Sequence, residues 1–286
     1  MKTEMECIPC FVRQAAEAVT LYVDDPARCE TILRRLLHEI AGADWSGSPP
    51  VMGQRIHRII RQDLGCRDPY RSVKERMNRM AEELLPSLCA AMANQPNQRE
   101  AVVRLAIGGN LLDAGAKTQI AAEDLPRHMN EIWTQPLRGD VAELFRAAEE
   151  AHCILYLTDN AGEIVFDRVL IEALPAEKIT VFVRGAPVIN DATMEDAVAA
   201  GLPETAPVFG NGSDAPGTIL EDCSEEFQRW FERADLVIAK GQGNYETLSD
   251  TTKRIFFLFT VKCPVIAGHV GEPVGSLVVS RGGSLE

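Results

Sequence analysis

The run ILYLTDNAGEIVFDRVLIEAL, residues 154–174, passes from an apolar strand pattern into an amphipathic helix pattern. Asp159, Asn160 and Glu163 stand at the junction. A carboxylate that ends a buried strand needs partners for its charge. Asn160 with Glu163 three residues on has the spacing of a capping box, in which the two side chains satisfy free N–H groups of the first helical turn. Capping leaves Asp159 unexplained.

Other apolar runs end in the same way. KITVFVRG is followed by APVIND, which closes on Asn190 and Asp191, and APVF is followed by GNGSDAPGT. LVIA leads into Lys240 of KGQGNYE, and IFFLFTV leads into Lys262. Each has a plain local reading. Asp191 would cap a helix starting near Thr193, the lysines would be charges at strand ends, and the glycines would be turn residues. Their convergence is what points to chemistry. Two carboxylates and an amide carbonyl from Asp159, Asp191 and Asn160 form an oxygen-rich set suited to Mg²⁺ or Mn²⁺, with water in the remaining positions. Lys240 and Lys262 would hold a phosphate as point charges, and the helix start after Asn160 favours an anion. A divalent metal facing lysines and a glycine loop is the equipment of phosphoryl transfer. Neither G-x-x-x-x-G-K-[ST] nor G-x-G-x-x-G occurs, so nucleotide P-loops and dinucleotide folds have no support.

The elements that must position these residues fall into two stretches. Residues 4–100 read as helices: CFVRQAAEAVTLYV, ARCETILRRLLHEIAGA, PVMGQRIHRIIRQDLG and VKERMNRMAEELLPSLCAAMA space apolar residues by three and four. REAVVRLAIGGNLLDAGA continues as a helix, with Gly108–Gly109 implying close packing or a break at Asn110. From about residue 139 the chain alternates helices with the strands CILYLT, KITVFVRG, APVF, LVIAKG, IFFLFTVK and PVIAGH. Continuously apolar strands between helices indicate a mostly parallel sheet covered on both faces. The expected fold is therefore α/β: a helical N-terminal region (1–100), then a Rossmann-like α/β catalytic domain (101–286) carrying its ligands at the carboxyl ends of the strands.

Composition narrows the partners. With 42 acidic against 29 basic residues the net charge is −13, which argues against nucleic acid and anionic membranes. No apolar run reaches the length of a membrane span, and MKTEMECIPC has no apolar signal core, so a cytoplasmic location is expected. Eight scattered cysteines fit a reducing compartment, and the five histidines show no H-x-x-x-H pair.

Taken in order, TDNAGEIVFD, RGAPVINDAT, SDAPGT, KGQGNYETL and KCPVIAGH resemble the DUF89 family of metal-dependent damage-control phosphatases. ECIPC and DPYRSVKERMN resemble its prokaryotic, cysteine-containing branch. The resemblance implies hydrolysis of small phosphate monoesters, sugar phosphates or damaged phosphometabolites, with Mn²⁺, Mg²⁺, Co²⁺ or Ni²⁺. It makes Asp159, Asn160 and Asp191 the metal ligands and catalytic set. It assigns Lys240, Gly241, Asn244 and Lys262 to the substrate phosphate and turns Asn110 and Asp113 of GGNLLDAG toward the same cleft. Glu163 joins the substrate-binding set, with a duty beyond helix capping left open because DNAGE is shorter than the eukaryotic spacing. The eukaryotic branch carries R-T-x-K where this chain has Phe259-Thr260-Val261-Lys262, which keeps only the lysine.

Two other readings stay beside it. A carboxyl methyltransferase using S-adenosylmethionine is an activity attached to the eukaryotic branch, but the chain lacks the glycine-rich strand-to-helix loop it would need. A non-enzymatic metal- or redox-sensing module would use Cys7 and Cys10, whose C-x-x-C opens a helix, with Cys29 or Cys66 completing a set.

Overall fold

A computed structural model describes residues 1–112 and 129–282. Five helices come first: α1 (Cys7–Tyr22), α2 (Pro26–Gly42), α3 (Pro49–Leu64), α4 (Arg71–Ala93) and α5 (Gln98–Gly108), the last passing into a 3₁₀ turn over Gly109–Leu112. Their boundaries follow the chain's own signals. Asp25 caps α2 by accepting from the Ala27 N–H, with Pro26 at the first helical position, and Gly65 ends α3 in the left-handed region at φ 64°. Of the alternatives expected of the glycine pair, close packing holds, and the α-helix ends at Gly108 rather than breaking at Asn110. A Cβ on Gly108 would lie 2.8 Å from Ile132 and one on Gly109 2.7 Å from Phe166.

Beyond them come β1 (Leu137–Gly139), α6 (Val141–Glu150), β2 (Ile154–Leu157), α7 (Glu163–Ala173), β3 (Ile179–Val183), α8 (Met194–Ala199), β4 (Val208–Gly210) and α9 (Glu225–Arg233). The remainder is β5 (Leu236–Lys240), α10 (Gln242–Leu248), β6 (Ile255–Thr260), α11 (Pro264–Val270) and β7 (Leu277–Gly282). The seven strands form one sheet in the order β1-β7-β6-β5-β2-β3-β4. All neighbours run parallel except β6 and β7, which are antiparallel.

Alternate strand residues enter opposite cores, which is why the strands read as unbroken apolar runs. Ile154, Tyr156, Val181, Ile238 and Leu258 join α5, α6 and α7 on one face. Leu155, Leu157, Phe182, Val237 and Phe257 join α9, α10 and α11 on the other. Helices α1–α3 bury a third cluster around Leu36, Ile56 and Ile60. Helix α4 precedes residue 100 in sequence, yet Ala81 and Leu88 belong to the sheet's core.

One strand expectation is corrected and two strands are added. PVIAGH is helix α11, not a strand: Pro264 sits at its first turn and Gly271 ends it at φ 72°, the Pro-first, Gly-last signature of a helix. The final strand is instead LVVSRG, and the three-residue β1 lies at the sheet edge; neither was anticipated. Among the described residues no helix is long and apolar enough to cross a membrane.

Candidate active site

Strand order reverses between β2 and β5. The chain runs outward one way through β2, β3 and β4 and the other way through β5 and β6. At such a switch point the loops leaving the two central strands diverge and open a crevice. The loop after β2 carries Asp159 and Asn160, and the turn after β5 carries Gly241.

Backbone pairing fixes the donors. The Ala192 N–H donates to the Asp159 carbonyl at 2.8 Å, and the Ala161 N–H donates to that of Asn190 at 2.8 Å. These rungs make an isolated antiparallel bridge between Asn160 and Asp191, so the loops after β2 and β3 are zipped together. Asp159, Asn160 and Asp191 are thus brought side by side, all buried. Gly241 holds φ 81°, and a Cβ there would overlap the Asp159 carboxylate, so only glycine lets strand β5 close on the acid.

Around Asp159 the polar groups are crowded. Its Oδ2 accepts from Asn160 Nδ2 at 2.8 Å and from Asn110 Nδ2 at 3.3 Å. The same two amides donate to Glu163 Oε2, at 3.1 and 3.0 Å. Asn110 therefore reaches this cluster from the helical side; Asp113 lies outside the described residues. Burial first, then the charges of Glu163 and Asp191, hold the Asp159 carboxyl well above the usual carboxylate range, and Lys262 and Arg184 offset this only in part.

Neither capping reading survives. Gly162 precedes α7 without a side-chain cap, and Glu163 is turned inward onto Lys240, Asn110 and Asn160. Gly162 instead gives its N–H to Asn78 Oδ1 of α4 at 2.6 Å. Helix α8 is capped by Thr193 in a box closed by Asp196. Asp191 is left to accept from Arg184 Nε at 2.7 Å.

The expected phosphate groups divide. Lys240 is fully buried, and its ammonium donates to the Ala106 carbonyl at 2.9 Å, to Glu163 Oε1 at 2.8 Å and to Asp167 Oδ1 at 2.5 Å. Three acceptors use its three donors in this arrangement, which leaves its ammonium no unspent N–H for a phosphate. Burial alone would depress its pKa; Asp167 and Glu163 outweigh that and raise it, so it stays charged. Asn244 is also buried, accepting from Thr218 and Arg184 and donating to the carbonyls of Thr158 and Lys240. It ties loops together. Lys262 is half-buried, its backbone N–H held by Gln242 Oε1 at 3.0 Å, and its charge is felt by Asp159.

Arg184 is the residue the sequence reading passed over. It directly follows β3, so the strand-end rule that found Asp159 and Lys240 applied to it equally. Its side chain is 2% exposed and pairs with Asp191, while Nη2 stands 3.7 Å from Asp159 Oδ1.

The donor set fits a hard divalent cation. The deficit of positive charge that raises the Asp159 carboxyl is what a cation among these oxygens would supply. Among the described residues no three His, Cys, Asp or Glu side chains form a ready-made metal cage, Cys7 and Cys10 included. The set offered is two carboxylates and an amide.

A doubly covered, mostly parallel sheet with a buried acid–amide cluster at its switch point has the architecture of α/β enzymes, whose ligands bind beyond the carboxyl ends of the strands. Residues 3–278 match the damage-control phosphatase ARMT1-like domain, and the chain belongs to that family of phosphatases. It is 35% identical to a damage-control phosphatase of Pyrococcus horikoshii over 98% of each chain. It is 33% identical to one of Archaeoglobus fulgidus over 97% of this chain and 98% of that one. The crystal structure of a DUF89 family protein from P. horikoshii superimposes with a TM-score of 0.88 at 32% identity, covering 99% of both chains. The expected family and fold class stand.

Proposed function

We propose that the chain is a divalent-metal-dependent phosphatase acting on small phosphate monoesters of the sugar-phosphate or damaged-metabolite kind, with Mn²⁺, Mg²⁺, Co²⁺ or Ni²⁺ held by Asp159, Asn160 and Asp191. The observation that carries this reading is the buried Asp159 carboxyl, crowded by Glu163 and Asp191 beyond what Lys262 and Arg184 offset. When bound, the metal supplies polarisation of a phosphoryl oxygen and charge neutralisation.

The chain's own groups do the rest. Asn110 and Asn160 hold Asp159 Oδ2 and thereby fix which edge of the carboxylate faces the cleft. Asp159 then orients the attacking water or itself attacks phosphorus, and Lys262 neutralises charge on the phosphoryl group. Lys240 serves the site by fixing Glu163. The stereochemical course at a chiral phosphorus separates the two roles of Asp159: direct attack by water inverts configuration, whereas two successive displacements through an aspartyl-phosphate retain it.

A panel of sugar phosphates, nucleotides and phosphopantetheine, assayed with each metal and with chelator, tests the proposal. Phosphate release that needs metal is expected. Metal-independent release, or methyl transfer from S-adenosylmethionine without phosphate release, would overturn it.

A further inference from the structure

Arg184 is held at two of its three nitrogens. Nε donates to Asp191, and Nη1 donates to Thr218 Oγ1 at 3.4 Å and to Asn244 Oδ1 at 3.3 Å. These partners come from two loops and from helix α10, and all are buried. Nη2 is buried without a hydrogen-bond partner, facing Asp159 Oδ1 across 3.7 Å. A buried guanidinium nitrogen with unspent N–H groups is costly and calls for a partner in some state of the molecule. The gap to Asp159 is under an ångström longer than a charge-assisted hydrogen bond.

We propose that Arg184 is a positioning residue for the metal site: its guanidinium ties the carboxylate after β3 to the carboxylate after β2, and the Nη2–Asp159 bond closes when the site is loaded. This rests on the metal-phosphatase reading. Arginine suits the duty because its rigid fork fixes the spacing of two acceptors, whereas a lysine ammonium is a point charge on a flexible stem. Outer groups that orient metal ligands typically set affinity by 10- to 100-fold.

The test is equilibrium Mn²⁺ binding, followed by electron paramagnetic resonance, on the whole protein. Arg184→Lys keeps the charge and loses the fork. It is expected to bind Mn²⁺ about 10- to 100-fold more weakly, with KM for substrate within about threefold of wild type at saturating metal. Arg184→Gln is expected to bind no more tightly than Arg184→Lys. Thr218→Val leaves Arg184 in place and removes one anchor of Nη1, so it decides the matter even if the arginine variants do not fold; a severalfold weaker Mn²⁺ affinity is expected. Unchanged Mn²⁺ affinity in Arg184→Lys or Thr218→Val overturns the proposal. Tighter binding in Arg184→Gln also overturns it, because Arg184 would then be a competing charge. A raised KM at unchanged Mn²⁺ affinity overturns it in favour of direct substrate contact. Wild-type protein that binds no Mn²⁺ would instead sink the phosphatase reading itself.

Discussion

Two buried cations flank the acid at the end of β2, Lys240 from β5 on one side and Arg184 after β3 on the other. Lys240 has an acceptor for each of its three protons, in the Ala106 carbonyl, Glu163 and Asp167. Arg184 shares its charge between Asp191 and Asp159 and leaves Nη2 unpartnered. The two cations thus differ in satisfaction at similar burial, although Asp167 Oδ2, beside Lys240, is also buried without a hydrogen-bond partner. A cation with every donor spent supports the fold; one left with unspent N–H groups beside the crowded Asp159 marks where a ligand belongs.

The largest test of that contrast falls on the frustrated side. Asp159→Asn is expected to lower kcat by at least ~10³-fold and to abolish the rise in Tm on adding Mn²⁺. The same variant should raise the metal-free Tm at neutral pH. An acid whose folded pKa is raised above its unfolded value binds its proton more tightly when folded, so above about pH 4 ionisation penalises the folded state, and asparagine removes the penalty. Thermal melts with and without Mn²⁺ check both signs; a lower metal-free Tm would show that Asp159 is structural.

On the Lys240 side, Lys240→Met is expected to destabilise the protein by about 3–5 kcal/mol, because Glu163 and Asp167 stay buried and uncompensated. Urea unfolding measures it. Neutralising all three, as Lys240→Met with Glu163→Gln and Asp167→Asn, should recover much of that loss. If Lys240→Met folds as well as wild type and only raises KM, the lysine belongs to the substrate after all.

Much of this was legible from the chain. Asp159, Asn160 and Asp191 declare themselves because a buried strand rarely ends in a charge, and the sheet's two covered faces follow from unbroken apolar runs. What was hidden depends on where long side chains travel. The four-carbon stem of Lys240 carries its charge back to the Ala106 carbonyl of α5, 134 positions away in sequence. Capping also misled, since Asn160 and Glu163 have the right spacing, but the zipped loops give their side chains nearer partners. PVIAGH looks like a strand by hydrophobicity alone; Pro264 and Gly271 were the better guides.

His57 sharpens the contrast from outside the site. It is 1% exposed on α3, with Nε2 buried and unpartnered like Arg184 Nη2. Burial first, and Arg61 second, pull its pKa down from 6.5 to about 3. A base with a lowered folded pKa is neutral when folded, so its contribution is intact above pH 6.5 and lost as pH falls from 6.5 toward 3. The loss at pH 5 is about 2 kcal/mol. His57→Leu should flatten this slope in urea unfolding at pH 5 and 7.5 while leaving Mn²⁺ affinity unchanged. Weaker metal binding would mean that an unpartnered atom marks the site even without neighbouring carboxylates.

The smallest effect is expected at the thiols of α1. Cys7 is half-buried, and burial raises its pKa, with Glu246, Cys263 and Cys10 adding to the rise against a hydrogen bond from the backbone. A thiol held protonated at neutral pH is a poor nucleophile, and zinc would have to displace its proton. Cys10 accepts only a long contact from Arg13, 3.7 Å from its Sγ. Here, unlike at Asp159, no charge waits for a cation. Replacing both residues by serine should leave bound zinc, measured by plasma emission, unchanged and phosphatase activity within about twofold of wild type. Loss of stoichiometric zinc would mean that the N-terminal cysteines bind metal by recruiting ligands from beyond α1, and the electrostatic contrast would then not suffice to locate metal in this chain.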